Sequence, residues 1–185
     1  MKVLVLGVSG MLGNAVLSIM HESADLDVYG TARSSAVISI FPEEIAKKII
    51  VGCDVTDNDA LVRVLSKVQP DVVINCIGLV KQLAEANDPL TTLPINAMLP
   101  HQLADLCALS KARLIHISTD CVFNGEKGNY KESDVSDATD LYGKSKFLGE
   151  VDSPHAITLR TSIIGHEINS AHSLLDWFLL QNDTC

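Results

Sequence analysis

Lys2-Val3-Leu4-Val5-Leu6, running without a break into Gly7-Val8-Ser9-Gly10-Met11-Leu12-Gly13, decides the fold of this 185-residue chain. The short apolar run suits a strand buried on both faces, as in a parallel sheet. Beyond the loop, Met11, Leu12, Ala15, Val16, Ile19 and Met20 recur at helical spacing and predict one buried stripe. Strand, glycine loop and helix thus follow in the order of a dinucleotide-binding unit. Gly7 permits the turn, Gly10 lets a pyrophosphate approach the backbone, and Gly13 allows close helix packing. Ser9, Met11 and Leu12 complete the expected cofactor loop. The glycine spacing is G-x-x-G-x-x-G rather than the commoner G-x-G-x-x-G.

The second strand, Asp27-Val28-Tyr29-Gly30-Thr31, ends without the acid that would accept the ribose hydroxyls of NAD. It exits into Ala32-Arg33-Ser34, where a guanidinium can pair with a 2′-phosphate, so NADP(H) is the expected cofactor. Asp25 and Asp27 lie at the wrong end of the strand to serve the ribose.

The remainder alternates strands and helices, which predicts a doubly wound α/β Rossmann sheet with helices on both faces. Ile49-Ile50-Val51 leads to Cys53-Asp54-Val55, placing Asp54 and Val55 beside the cofactor. Thr56 and Asp57 start a helix whose Leu61, Val64, Leu65 and Val68 form a stripe that ends at Pro70. Val72-Val73-Ile74 runs into Asn75-Cys76-Ile77-Gly78, again at a strand end facing the cofactor. A helix is expected from about Pro94 to Leu109, then strands Leu114–Ser118 and Ala156–Leu159, with 124 to 140 as the longest loop. Residues 1–166 read as the dinucleotide-binding domain.

Tyr142-Gly143-Lys144-Ser145-Lys146 puts a phenol and an ammonium on one helical face. An ammonium beside a phenol lowers its pKa from the ordinary value of about 10, so the spacing predicts a tyrosine that exchanges a proton near neutral pH. That supplies the proton for a carbonyl reduction whose hydride comes from a nicotinamide.

A formal charge of -9 argues against nucleic acid or an anionic membrane as partner. No apolar run approaches a membrane span and no signal peptide is visible, so the chain is expected in the cytoplasm. Cys53, Cys76, Cys107, Cys121 and Cys185 are odd in number and lack C-x-x-C spacing, which predicts reduced thiols and no metal. His101, His116 and His155 share no ligand spacing either, and His116 reads as a hydrogen-bonded core histidine. Cys121 has no base in sight, which makes packing its expected role.

Together with the glycine loop, Ile117-Ser118-Thr119-Asp120-Cys121-Val122-Phe123-Asn124-Gly125, Leu141-Tyr142-Gly143-Lys144-Ser145-Lys146 and Leu159-Arg160-Thr161-Ser162 form a recognisable pattern. From residue 1 to about 166 it resembles the extended short-chain dehydrogenase/reductases, most of all the dTDP-4-dehydrorhamnose reductase group, which acts on nucleotide-activated sugars. Cysteine stands at position 121 where that group commonly has tyrosine, which bears on the particular sugar. The resemblance implies that Tyr142 protonates the substrate oxygen, that Lys146 tunes it and holds the nicotinamide ribose, and that Thr119 hydrogen-bonds the reacting carbonyl. Ser118 competes with Thr119, because the strand register is open. Ser118 and Thr161 are also placed at the cofactor. Asn96 matches the family's asparagine, supporting the lysine through water, or else it is a helix-start polar residue.

Proteins of this resemblance continue into a smaller substrate domain, which is expected to be largely missing here, with 167–185 a helical remnant. Its stripe of Leu174, Leu175, Phe178 and Leu179 is expected to pack on the domain or, left exposed, to drive homo-oligomer formation. The expected activity is NADP(H)-dependent reduction of a nucleotide-activated 4-keto sugar, with the chain as it stands expected to bind dinucleotide but to be weakly active or inactive toward such sugars. The alternatives are a non-catalytic dinucleotide-binding or regulatory protein and a sugar-nucleotide epimerase or dehydratase.

Overall fold

Strict alternation along the first strand sends Val3 and Val5 to one side of a sheet and Leu4 and Leu6 to the other, all at most 1% exposed. Both faces therefore need covering, and a computed structural model shows helices doing so. It describes residues 1–80, 87–166, 168 and 174–181. Cys185 and much of the expected segment 167–185 lie outside the described residues.

The elements in chain order are β1 (Lys2–Leu6), α1 (Met11–His21), β2 (Asp27–Ala32), α2 (Glu43–Ala46), β3 (Ile49–Val51), α3 (Asn58–Val68) and β4 (Val72–Asn75). After these come α4 (Pro89–Thr92), α5 (Leu99–Ser110), β5 (Arg113–Thr119), α6 (Leu141–Leu148), β6 (Ala156–Thr161) and α7 (Leu174–Leu179). The six strands pair in parallel in the order β3-β2-β1-β4-β5-β6. The chain is thus a doubly wound Rossmann sheet. Its switch point lies between β1 and β4, where such sheets open a ligand crevice at their carboxyl ends.

One core joins Leu4 and Leu6 to Leu61, Val64 and Leu65 of α3 and to Leu103 of α5. The other joins Val3 and Val5 to Leu17 of α1, Val28 and Ile74. Each such side chain contributes about 1.5–3 kcal/mol on burial. Asp57 caps α3 by accepting from Asp59 N at 2.9 Å, as its position predicted.

Two helices depart from expectation. In α1 the buried positions are Gly13 and Leu17, whereas Ile19 is 68% exposed and Ala15 is also exposed. The stripe is rotated because Gly13 must face the glycine loop, and Leu17 follows it one turn later. The helix expected from Pro94 begins five residues earlier, at Pro89, where Asp88 accepts from Leu90 N at 3.0 Å. Between α4 and α5 runs a π-helical turn, Leu93–Met98, in which Leu99 N donates to Pro94 O. Pro94 and Pro100 carry no N–H and break the regular ladder there. Among the described residues no helix is long and apolar enough to cross a membrane.

Candidate active site

Gly7 ends β1 with φ +84°, a conformation rare for L side chains, and a Cβ there would press on Ile77. Gly7 N and Val8 N both donate to Thr31 O, at 3.2 and 3.1 Å, which ties the loop to the end of β2. A Cβ on Gly13 would overlap the Gly7 carbonyl, so α1 starts directly against the loop. Gly10 is the N-cap; among the described residues no side chain caps α1 and its first turn carries no acid. The unsatisfied N–H groups and the positive end of the helix dipole are left for an anion, as a pyrophosphate requires.

A groove of about 400 Å³ follows the carboxyl ends of β1 to β4. Its lining includes the expected Gly7, Ser9, Gly10, Arg33, Asp54, Val55, Cys76, Ile77 and Gly78. Met11, Leu12, Gly13, Ser34, Asn96, Ser118 and Thr161 are not among the residues lining it. Thr31, Ala32, Cys53, Thr56, Leu79, Thr91 and Ile95 also line it, unanticipated from sequence. Thr31 and Ala32 were legible as the last residues of β2. Thr91 and Ile95 were hidden by the misplaced helix start. Asp54 is held below the usual carboxylate range, first by the Thr56 N–H, then by its hydroxyl and more weakly by the Arg33 charge. The Ser34 hydroxyl accepts from Ala36 N at 3.2 Å beside Arg33.

Around the end of β5 a second group of side chains gathers. Thr119, the last residue of the strand rather than the first beyond it, stands near enough to the Tyr142 phenol to pull its pKa down, and its hydroxyl donates to Asp120 Oδ1 at 3.2 Å. Its Oγ1 also accepts from Cys121 N at 3.1 Å. Asp140 accepts from Gly143 N at 2.7 Å and starts α6, an aspartate N-cap that was readable in the sequence and overlooked. A Cβ on Gly143 would overlap the Cys121 carbonyl, which seats α6 on the strand end. Ser118 faces the opposite side, and its hydroxyl donates to Glu150 at 3.0 Å. Alternation along β5 thus separates Thr119 from Ser118.

Lys146 is only 4% exposed, and its Nζ donates to Ile117 O at 2.7 Å. Burial lowers its pKa to about 8 against the opposing pull of Glu150. A Cβ on Gly78 would lie 3.5 Å from both Lys146 Nζ and Asn96 Oδ1, so the lysine reaches the rim of the groove. Asn96 is in the π-helical turn, not at a helix start. It accepts from Leu79 N at 2.9 Å and donates to Leu79 O and to Ser145 Oγ, at 3.1 and 3.2 Å. It bridges the groove wall to α6. The expected lowering of the Tyr142 pKa is not found. Burial raises it, and nearby Thr119 only partly offsets that. The proton therefore stays on the phenol at neutral pH.

His116 is fully buried, as expected of a core histidine, with Nδ1 3.1 Å from Asn75 Nδ2. Because Asn75 Oδ1 accepts from Ile77 N at 3.1 Å, Asn75 also shapes the Cys76-Ile77-Gly78 turn. Burial, then the Lys146 charge, lowers the His116 pKa to about 3, so the ring is neutral. Cys121 is exposed, not packed, because it sits in the turn leaving β5. Among the described residues no group of three ligating side chains could hold a metal.

Against known proteins, a family model described as the RmlD substrate binding domain matches residues 1–174. The chain belongs to the RmlD substrate binding domain family. Within this dTDP-4-dehydrorhamnose reductase-like family it is 30% identical to the dTDP-4-dehydrorhamnose reductase of Mycolicibacterium smegmatis, over 87% of this chain and 45% of the relative. It is 31% identical to methionine adenosyltransferase 2 subunit beta of Danio rerio, over 90% and 49%. Among solved structures, a hypothetical dTDP-4-dehydrorhamnose reductase from Sulfolobus tokodaii aligns with TM-score 0.73 and 30% identity, over 86% of this chain and 55% of that one. The Bacillus anthracis dTDP-4-dehydrorhamnose reductase, in complex with NADP, aligns with TM-score 0.61 and 25% identity, over 80% and 47%. The chain spans about half the length of the curated relatives it matches.

Proposed function

We propose that this chain binds NADP(H) and reduces a nucleotide-activated 4-keto sugar in the cytoplasm, with residues 1–166 as the dinucleotide-binding domain and 167–185 toward the substrate. The observation that carries the reading is the placement of Tyr142 beside Thr119 at the end of β5, with buried Lys146 reaching the rim of the dinucleotide groove. The uncapped α1 terminus and the Gly7, Gly10 and Gly13 cradle fit a pyrophosphate. When bound, the nicotinamide supplies the hydride. Thr119 and Tyr142 orient the carbonyl oxygen by hydrogen bonds, and Tyr142 delivers the proton that balances the hydride. Lys146 holds the ribose and returns positive charge to the site as the phenol loses its proton. Mixing the chain with NADPH and dTDP- or UDP-linked 4-keto sugars tests this directly: slow NADPH oxidation that depends on the sugar is expected, and its complete absence sinks the reading.

Arg33 supports NADP(H) over NAD(H), since it lines the groove at the end of β2. A guanidinium–phosphate pair contributes about 1.5–3 kcal/mol, or roughly ten- to a hundredfold in affinity. Calorimetric titration of Arg33→Ala should show that loss for NADPH and little change for NADH. Equal affinities in the unaltered chain would rule out the preference.

Lys146 predicts a pH dependence. Its pKa of about 8 before ligand binding means that raising the pH through 8 removes the ammonium, with Glu150 and His116 as its charged or titratable neighbours. NADPH affinity should therefore hold below about pH 8 and weaken above it. Lys146→Met should bind more weakly at neutral pH and lose that inflection; a variant that keeps it would assign the titration to another group.

Similarity to a protein named as a subunit of a methionine adenosyltransferase favours a second reading, a non-catalytic dinucleotide-binding subunit. Tight NADPH binding without turnover of any 4-keto nucleotide sugar would select it.

A further inference from the structure

Behind the strand end that carries Thr119, one carboxylate joins three elements. Glu150 Oε1 accepts from Ser118 Oγ at 3.0 Å and from Arg160 Nε at 2.8 Å, while Oε2 accepts from Arg160 Nη2 at 2.7 Å. The two side chains are 15% and 21% exposed, so this two-pronged pair is largely shielded from water. Such bidentate pairs fix geometry as well as charge. The remaining face of the guanidinium turns to the loop between β5 and α6. Arg160 Nη1 donates to Glu132 O at 3.3 Å, and the guanidinium lies 5.0 Å from the Phe123 ring centroid. Phe123 stacks on Tyr130, with centroids 4.3 Å apart and planes 12° from parallel. The Tyr130 hydroxyl accepts from Gly125 N and Lys127 N and donates to Asn124 Oδ1.

No helix or strand is present among the described residues of this loop after Val122, so side-chain contacts set its shape. Between the loop and β6 opens a second groove of about 840 Å³, lined in part by Asp120, Cys121, Tyr130, Arg160 and Thr161. Asp120 and Cys121 directly follow Thr119, the last residue of β5. The groove thus borders the turn that follows Thr119 on the β5–β6 side, whereas the dinucleotide groove follows β1 to β4.

We propose that Arg160 and Glu150 are positioning residues, a latch that seats the 123–134 loop against the end of β5 and so shapes the substrate-facing wall beside Tyr142. The latch stands on the contacts alone; the wall it shapes rests on the reductase reading. Ser118, on the rear face of the strand, extends the same latch to the residue between Ile117, which holds Lys146, and Thr119, which stands beside Tyr142.

The experiment is hydrogen exchange at the Gly125 and Lys127 amides, NADPH titration and steady-state kinetics on the full chain and on two variants. Arg160→Lys keeps a positive charge but replaces the fork with one donor centre, which cannot serve both Glu150 oxygens and the Glu132 carbonyl. Glu150→Gln keeps the shape and removes the charge. Both should speed exchange at the two amides about tenfold. Compared well below pH 8, where Lys146 keeps its ammonium without help from the Glu150 charge, NADPH affinity should stay unchanged in both variants, and KM for the sugar nucleotide should rise more than kcat falls. Unaltered exchange in both variants would overturn the latch, and so would an equal rise across the sheet, which would make the pair a general prop. If the unaltered chain binds NADPH without turnover, the reductase reading fails, and the exchange data still decide the latch.

Discussion

Tyr142→Phe is expected to lower kcat by a factor of about a hundred to ten thousand, the range typical of general acid catalysis, while NADPH binding stays nearly intact. The variant keeps the ring that fills the space beside Thr119 and removes the proton. Because burial raises the Tyr142 pKa, the phenol arrives protonated at neutral pH, the state that a reduction needs from its acid. The cost is a weaker acid. It must be offset as charge develops, and the nearby groups divide clearly on that point. Asp120, Asp140 and Cys121 oppose loss of the proton, whereas Thr119 favours it. Single-turnover measurement of NADPH oxidation separates the chemical step from binding. Near-normal turnover in the phenylalanine variant would remove Tyr142 from the mechanism and direct attention to another donor.

The second large effect is expected from the smallest change, Gly13→Ala. The added methyl has nowhere to go, because its position overlaps the carbonyl oxygen of Gly7, a backbone atom held in place by the Gly7 and Val8 hydrogen bonds to Thr31. Either α1 backs away from the loop or the loop opens. Overpacking of this kind costs about 1–3 kcal/mol and occasionally more. Both responses also displace the N–H groups that await a phosphate, so dinucleotide affinity should fall at least tenfold along with stability. Urea unfolding and calorimetric titration of the same sample read the two effects. A variant unchanged in both would show that helix and loop are not in the tight contact described.

Local pattern determined a large part of this protein. The glycine loop between an apolar run and a helical stretch specified the first strand–loop–helix unit, and the recurring strand–helix alternation specified the parallel sheet, because periodicity is a property of neighbours in the chain. Arg33 at the end of β2 and the four-residue separation of Tyr142 and Lys146 are legible for the same reason. What spacing does not contain is depth. Tyr142 and Lys146 share a helical face as expected, yet the direction of the Tyr142 shift reverses because the sheet buries the phenol. The choice between Ser118 and Thr119 needed the register of β5, and the rotated face of α1 needed the contact of Gly13 with Gly7, six residues away in sequence. The π-helical turn that carries Asn96 arises where two prolines interrupt one helix, and its partners Leu79 and Ser145 come from separate elements. Arg160 and Glu150 meet Ser118 and the 123–134 loop only after β6 has been laid beside β5. Faces follow from chain-local geometry, whereas burial, register and charge pairing depend on which distant segments the tertiary structure brings together.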